Sequence, residues 1–447
     1  MEPFYKSDEV VIYCADCIDL MAELPENSLD AIVTDPPYGL EFMGKEWDKL
    51  EAKGHWDGNR GWQGDVKDVY GRYQGTALTQ YRAGIEAQLF HQQWASQALR
   101  VLKPGGHALV FGGTRTHHRM YCGLEDAGFE IRDTICWLYG SGFPKSHDIS
   151  KAIDKMVGAE GEIIGSKKLW GHNAGSGAGS FSKNQYEGQT GIVRYEDITS
   201  PGSPEAKEWQ GYGTALKPAF EPILLARKTI SEKNVALNVL KWGVGGLAID
   251  ACRVQGAKGN GVWGTNQTNC QGMFNASPEN KEYKTQQHTG GRWPANVVLD
   301  EEAAQMLDEQ AGQLKSGKQA VGGHKRNTDK HRNTFMPFEG QRCEGDVLYG
   351  DSGGASRFFQ RCPQDRFLYC PKASKKERGQ GNDHPTVKPM SLCRWLIQLV
   401  SRPGQVVLDP FAGSMTIPLA ALETGRKCIA VEKSPDYCKL FQLRLPH

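Results

Sequence analysis

The sequence predicts an α/β fold, with a sheet covered by helices on both faces. Two observations carry this. Short apolar runs alternate with segments of helical spacing in the first part of the chain, and the same rhythm returns near its end. Several runs are apolar throughout, as strands buried on both sides are. Val10–Cys14 reads as the first strand, Ile18 to Met21 opens a short helix that Pro25 ends, and Leu29–Thr34 reads as the second strand. That strand runs into Asp35-Pro36-Pro37-Tyr38, where two prolines forbid further ladder pairing. From Gly39 to about Arg82 glycine, tryptophan, tyrosine and charge dominate, and a long loop is expected. Ile85 to Leu102 shows helical spacing through Leu89, Trp94 and Leu99, and Lys103-Pro104-Gly105-Gly106 is expected to end it. His107–Phe111 follows as a buried strand, Met120 to Ala127 as a helix capped by Gly128, and Phe129 to Leu138 as another strand.

The middle of the chain is looser. Gly171 to Gly191 is rich in glycine, serine and asparagine and is expected to be mobile, Ala219 to Ala226 reads as a strand, and Gly256 to Gly290 has few apolar anchors. Near the end Met390–Val400 reads as an apolar helix and Gln405 to Leu408 as a strand. A helix from Ile417 to Glu423 is stopped by Gly425, Lys427 to Val431 is a strand closing on Glu432, and a last helix begins near Pro435.

The chain has 447 residues, 39% of them hydrophobic, which suffices for a real core; its 53 glycines point to long surface loops. The formal net charge of +1 does not advertise nucleic acid, so any such claim needs a local basic patch. The twelve cysteines are scattered, and Cys14 and Cys17 form a Cys-x-x-Cys with no second pair to complete a zinc site. Reduced thiols in a cytoplasmic protein, with no metal, are expected. The opening Met-Glu-Pro-Phe-Tyr-Lys has no apolar leader core, and no run reaches the ~18 apolar residues that a membrane span needs.

Two loops carry the chemistry. Between Val406 and Glu432 a strand, a small-residue loop and a helix are followed by a strand ending on an acid. Small residues let backbone amides approach a ligand, and the acid can accept both ribose hydroxyls of a nucleoside. Asp409, Gly413 and Glu432 hold those places, which suits nucleoside cofactors in general, whether NAD or S-adenosylmethionine. An ordinary strand–helix turn is the structural alternative. The second loop is Asp35-Pro36-Pro37-Tyr38, at the carboxyl end of a strand, where open α/β sheets bind ligands. Methylating an aromatic amine is hindered because the nitrogen lone pair is delocalised into the ring. A carboxylate and a carbonyl that accept both N–H bonds direct that lone pair at the methyl group. Asp35 and the Pro36 carbonyl offer these acceptors, Pro37 stiffens the loop, and Tyr38 offers a face for stacking.

With both loops in this order, the chain resembles the DNA amino-methyltransferases, in the β arrangement where the catalytic tetrapeptide precedes the cofactor loop. Asp35-Pro36-Pro37-Tyr38 matches the catalytic motif, and Asp409-Pro410-Phe411-Ala412-Gly413-Ser414 the cofactor motif. His384-Pro385-Thr386-Val387-Lys388-Pro389 matches the segment lining the methionine end of the cofactor, and Asp16, in Ala15-Asp16-Cys17, the acid near its adenine. Trp137 to Ser146 and Ala219-Phe220-Glu221-Pro222 resemble phage and prophage members. The resemblance implies a Rossmann-like sheet, S-adenosylmethionine as cofactor and a base flipped out of double-stranded DNA. Asp16, Asp35, His384, Thr386, Lys388, Asp409, Phe411, Gly413, Ser414 and Glu432 would hold the cofactor. Aspartate in the first catalytic position goes mostly with adenine N6 and serine with cytosine N4, so adenine is favoured and N4 is the alternative. Carbon-5 methylation is rejected for want of a Pro-Cys dipeptide. A DNA-binding module with a weak catalytic core is the non-enzymatic alternative. A homodimer and a cognate restriction enzyme are compatible with the resemblance.

The resemblance also suggests an organisation: residues 1–228 catalytic, with mobile loops 39–82 and 171–191, residues 229–350 a target-recognition insertion, and 351–447 the cofactor part. Lys325, Arg326, Lys330 and Arg332 accumulate against the single acid Asp329, a pattern suited to phosphates. Where the family usually has glycine after Ser414, this chain has Met415. Either its backbone is left-handed and strained, or the loop enters the helix with negative φ and Met415 packs inward. Thr416-Ile417-Pro418 favours the second, so negative φ is expected.

Overall fold

Every residue of Leu-Asp-Ala-Ile-Val-Thr at 29–34 is buried, and this run lies in the interior of the sheet. The computed structural model describes residues 1–38, 77–140, 146–169, 194–254, 292–315, 352–361 and 387–445. The strands are β1 (Tyr5–Lys6), β2 (Val10–Cys14), β3 (Leu29–Thr34), β4 (Leu102–Phe111), β5 (Glu130–Leu138), β6 (Ile163–Leu169), β7 (Arg194–Thr199), β8 (Phe220–Arg227), β9 (Val297–Leu299), β10 (Leu314–Lys315), β11 (Ser352–Gly353), β12 (Gln360–Arg361), β13 (Val406–Asp409) and β14 (Lys427–Glu432). The helices used below are α1 (Cys17–Glu23), α2 (Ala77–Val101), α3 (His117–Asp126), α4 (Ile149–Val157), α5 (Pro204–Glu208), α6 (Val235–Trp242), α7 (Glu301–Ala311), α8 (Met390–Val400) and α9 (Thr416–Glu423).

Among the described residues the main sheet has ten strands in the order β1-β2-β14-β13-β3-β4-β8-β5-β9-β12. From β2 to β4 neighbouring strands run parallel; β8 runs antiparallel to both β4 and β5. Period-two alternation splits the core into two layers. Ala31, Val33, Leu109, Phe111 and Val407 face one cluster with α8, whereas Ile32, Ala108, Val110 and Leu408 face the other with Trp94 of α2. The α/β sheet covered on both faces is therefore present.

Two local expectations are corrected. The loop anticipated through Arg82 gives way to helix at Ala77, because Ala-Leu-Thr-Gln-Tyr-Arg is rich in good helix formers although it lacks apolar periodicity. Lys103-Pro104-Gly105-Gly106 lies inside β4, where the pairing with β3 shifts register. Gly105 takes φ +82°, and Asn238 of α6, wholly buried, donates to the Pro104 carbonyl at 2.8 Å and to the Val244 carbonyl at 3.0 Å. A turn-forming sequence thus becomes a bulge held by a partner distant in the chain.

The described residues form two compact units, one of residues 1–141 and 219–447, the other of 142–218. The smaller holds α4, α5 and the antiparallel pair β6–β7. Its α4 is capped by the Asp148 side chain and ends on left-handed Gly158, and Asp154 accepts from the Gly202 and Ser203 amides, both at 2.9 Å. Described parts of the stretch 229–350, namely α6, β9 and α7, belong to the larger unit, and β9 is a strand of the main sheet. The anticipated loop 171–191 lies outside the described residues, as do residues 39–76. Among the described residues no helix is long and apolar enough to cross a membrane.

Candidate active site

The parallel strands β14, β13 and β3 deliver their carboxyl ends side by side, and both motif loops leave from that edge. Thr34, the last residue of β3, donates to Asp409 Oδ1 at the end of β13 at 2.7 Å, which ties the two loops at their roots. Asp409 also accepts the Phe411 amide at 3.2 Å. Burial raises its carboxyl to about 7, against the pull of the Thr34 and Phe411 hydrogen bonds.

Beyond Thr34 the chain presents Asp35 and Tyr38 to two residues from elsewhere. Tyr38 OH donates to Asp35 Oδ1 at 2.8 Å and lies 3.3 Å from Glu221 Oε2. The Lys388 ammonium sits 2.8 Å from Asp35 Oδ2, 3.1 Å from Glu221 Oε2 and 3.2 Å from Tyr38 OH. It also stands 4.9 Å from the Phe111 ring centroid and 5.4 Å from that of Tyr38. Burial opposes the Lys388 charge, but Asp35 and Glu221 outweigh it and hold its pKa above the ordinary lysine value. Burial, reinforced by the same two carboxylates, pushes the Tyr38 phenol well up. Glu221 reaches this place because β8 is antiparallel to β4: Ile223 pairs with Phe111, so the residues before it pass the carboxyl end of β4. The Gly112 amide donates to the Pro222 carbonyl at 2.9 Å, and a Cβ on Gly113 would stand 3.1 Å from the Tyr38 ring. Pro36 is buried and Pro37 half-buried between these contacts.

The second loop is braced from below. Glu432, at the end of β14, accepts the Gly413 amide through Oε2 and the Ser434 amide through Oε1, both at 2.8 Å. Burial raises the Glu432 carboxyl and these amides oppose the shift. Ser414 Oγ lies 3.0 Å from Thr416 Oγ1, and Arg444 donates to the Ser414 carbonyl. The Phe411 ring stacks edge-on against Trp94 at 5.5 Å. Asp16 lies just beyond Cys14, which pairs with Glu432, and it caps α1 by accepting the Ile18 amide at 3.0 Å. Among the described residues no cluster of His, Cys, Asp and Glu could hold a metal ion.

Met415 corrects the negative φ expected for it. Its φ of +61° and ψ of +24° are left-handed, and its side chain is fully buried in the core. Strain and packing therefore coexist. Relieving a left-handed non-glycine residue returns about 1–2 kcal/mol, whereas deleting a buried Met side chain loses about 2–5 kcal/mol. Met415→Gly is expected to destabilise the protein by about 2 kcal/mol, the middle of a difference that spans about 0–4 kcal/mol. Denaturant unfolding checks this; a variant more stable than wild type would show that strain dominates.

The structure brings together Asp35, Pro36, Pro37, Tyr38 and Lys388, and, on the adjoining loops, Asp16, Asp409, Phe411, Gly413, Ser414 and Glu432. His384 and Thr386 lie outside the described residues, as do Lys325, Arg326, Lys330 and Arg332. The ammonium of Lys388, a candidate for the methionine end of the cofactor, is paired with Asp35 and Glu221. Glu221 and Thr34 were not anticipated. The available signal for Glu221 was a lone acid opening an otherwise apolar strand, Phe-Glu-Pro-Ile-Leu-Leu-Ala.

A family model for N6/N4 methyltransferases, described as DNA methylase, matches residues 29–443. The type II methyltransferase M.HindIII of Haemophilus influenzae is 22% identical over 429 residues, spanning 95% of this chain and 91% of that relative. The DNA adenine methyltransferase YhdJ of Escherichia coli is 46% identical over 125 residues, 28% of this chain and 35% of the relative. Among solved structures, the cytosine-N4-specific PvuII DNA methyltransferase superposes with a TM-score of 0.42 at 13% identity, covering all of this chain and 89% of that one.

Proposed function

The chain belongs to the N6/N4 DNA methylase family, and from that premise we propose that it methylates N6 of an adenine flipped out of double-stranded DNA, in the β arrangement of motifs. S-adenosylmethionine is the expected cofactor; when bound it would supply an electrophilic methyl group, its sulfonium sulfur keeping the electron pair of the broken S–CH3 bond and leaving as a neutral thioether. The observation that carries the reading is the place of Asp35, a carboxylate at the carboxyl end of β3 whose root is bonded, through Thr34, to the root of the other motif loop.

The donor set fits a nucleoside cofactor. Glu432 accepts the Gly413 and Ser434 amides through different oxygens, and the roughly four lone-pair sites of a carboxylate leave room for ribose hydroxyls. Phe411, half-buried against Trp94, adds an apolar wall, and Asp16 an acid two residues past Cys14, the strand partner of Glu432. Asp35 accepts one N–H of the target amine and the Pro36 carbonyl the other, which localises the nitrogen lone pair. Tyr38, backed by Gly113, stacks on the flipped base. As the nitrogen gains its methyl group it becomes cationic, and the Asp35 carboxylate stabilises that charge and takes the released proton. Lys325, Arg326, Lys330 and Arg332 neutralise phosphates within the 229–350 region.

Adenine is favoured by Asp35 in the first catalytic position and by the stretch shared with a DNA adenine methyltransferase. Mass spectrometry of nucleosides from DNA incubated with protein and S-adenosylmethionine is expected to show N6-methyladenine. Product consisting only of N4-methylcytosine would overturn the choice of base.

A further inference from the structure

We propose that Glu221 is a positioning residue of the active site, which shares the Lys388 ammonium with Asp35 and so leaves the Asp35 carboxylate with charge enough to act on the target amine. The inference rests on the methyltransferase reading and adds to it a residue outside both motifs.

The geometry sets the charge balance. One ammonium meets two carboxylates, at 2.8 Å for Asp35 and 3.1 Å for Glu221, so the cluster carries a net charge of −1 when all three groups are ionised. Lys388 is 7% exposed, and water therefore contributes little to dividing its charge. Without Glu221 the ammonium would pair with Asp35 alone, and a buried one-to-one pair would neutralise the acceptor that methyl transfer needs. Without Lys388 two carboxylates would adjoin with no cation between them, and one would take up a proton. The Tyr38 hydroxyl, 2.8 Å from Asp35 and 3.3 Å from Glu221, links the acids by a second route. Among the described residues, other titratable groups felt by the cluster are Tyr139 just past β5, Cys393 on α8 and Asp409, and none of the three is a cation. Among the described residues Lys388 is thus the positive charge in contact with Asp35, and Glu221 moderates it.

Single-turnover methylation across pH tests this with Glu221→Gln, Lys388→Met and the double variant. Glu221→Gln is expected to slow turnover about 10-fold, with S-adenosylmethionine affinity unchanged by calorimetry. Lys388→Met is expected to move the acid limb of the rate profile to higher pH, since Asp35 then ionises beside an unpaired Glu221. Adding Glu221→Gln to Lys388→Met is expected to return that limb toward its wild-type position, a rescue that loss of packing does not produce. An unchanged Glu221→Gln rate, or a double variant whose acid limb stays with that of Lys388→Met, would overturn the inference while wild-type activity stands. A wild-type protein that yields no methylated base would overturn the methyltransferase reading and this inference with it.

Discussion

Asp35→Ala is expected to reduce methyl transfer by about 10²-fold or more, the usual loss when one preorganised electrostatic group is removed from a reacting centre. Duplex binding should persist, because phosphate contacts come from other residues. The structure also explains why the variant should fold. Lys388 keeps Glu221 at 3.1 Å and Tyr38 at 3.2 Å, so its buried charge is not stranded. Single-turnover rates and fluorescence anisotropy on one DNA separate the two effects. Turnover at the wild-type level would remove Asp35 from the mechanism, and lost binding with an intact melting curve would make it a DNA contact.

Trp94→Ala is expected to be the most damaging core change, lowering stability by about 3–5 kcal/mol. The ring is wholly buried on α2, its Nε1 donates to His91 Nδ1 at 3.1 Å, and it meets Phe411 edge-on. Burial alone lowers the His91 pKa to about 3, so this histidine is neutral at pH 7 and its ring nitrogen is a ready acceptor. The truncation therefore leaves a cavity and an unsatisfied buried nitrogen together. Urea unfolding reads the loss from the midpoint at constant slope, and a change under about 1 kcal/mol would mean that the layer collapses to fill the gap. Because Phe411 loses its backing, cofactor affinity should fall in the same variant.

Some elements are determined by local sequence alone. Val10–Cys14, Leu29–Thr34 and Met390–Val400 have the bounds their sequences suggest, because each presents a largely apolar surface to the core. Local sequence fails as a guide where a distant residue decides. Pro104-Gly105-Gly106 is a turn by every local rule, yet Asn238, 134 positions away from Pro104, holds it as a bulge in β4. Met415 takes the left-handed backbone that suits a glycine and not the helical entry that Thr416-Ile417-Pro418 suggests, with its side chain buried in the core. Of the candidate site, the two motif loops were legible as short contiguous strings. The network that conditions Asp35 was not, since Tyr38 lies 183 residues from Glu221 and 350 from Lys388, and no spacing rule spans such gaps.

The strand order β2-β14-β13-β3 has a consequence for how the molecule comes into being. Strands from the start of the chain enclose strands from its end, and Thr34 meets Asp409 across 375 residues of sequence. On the ribosome β2 and β3 emerge first and wait with their inner edges bare until the last of the sheet is synthesised. Closing a loop of that length carries a large entropy penalty before any contact repays it, and bare apolar strand edges are where nascent chains associate wrongly. The centre that joins catalytic and cofactor loops is therefore completed only after β13 and β14 are made, and a nascent chain halted before β13 has two open edges where the active centre should be.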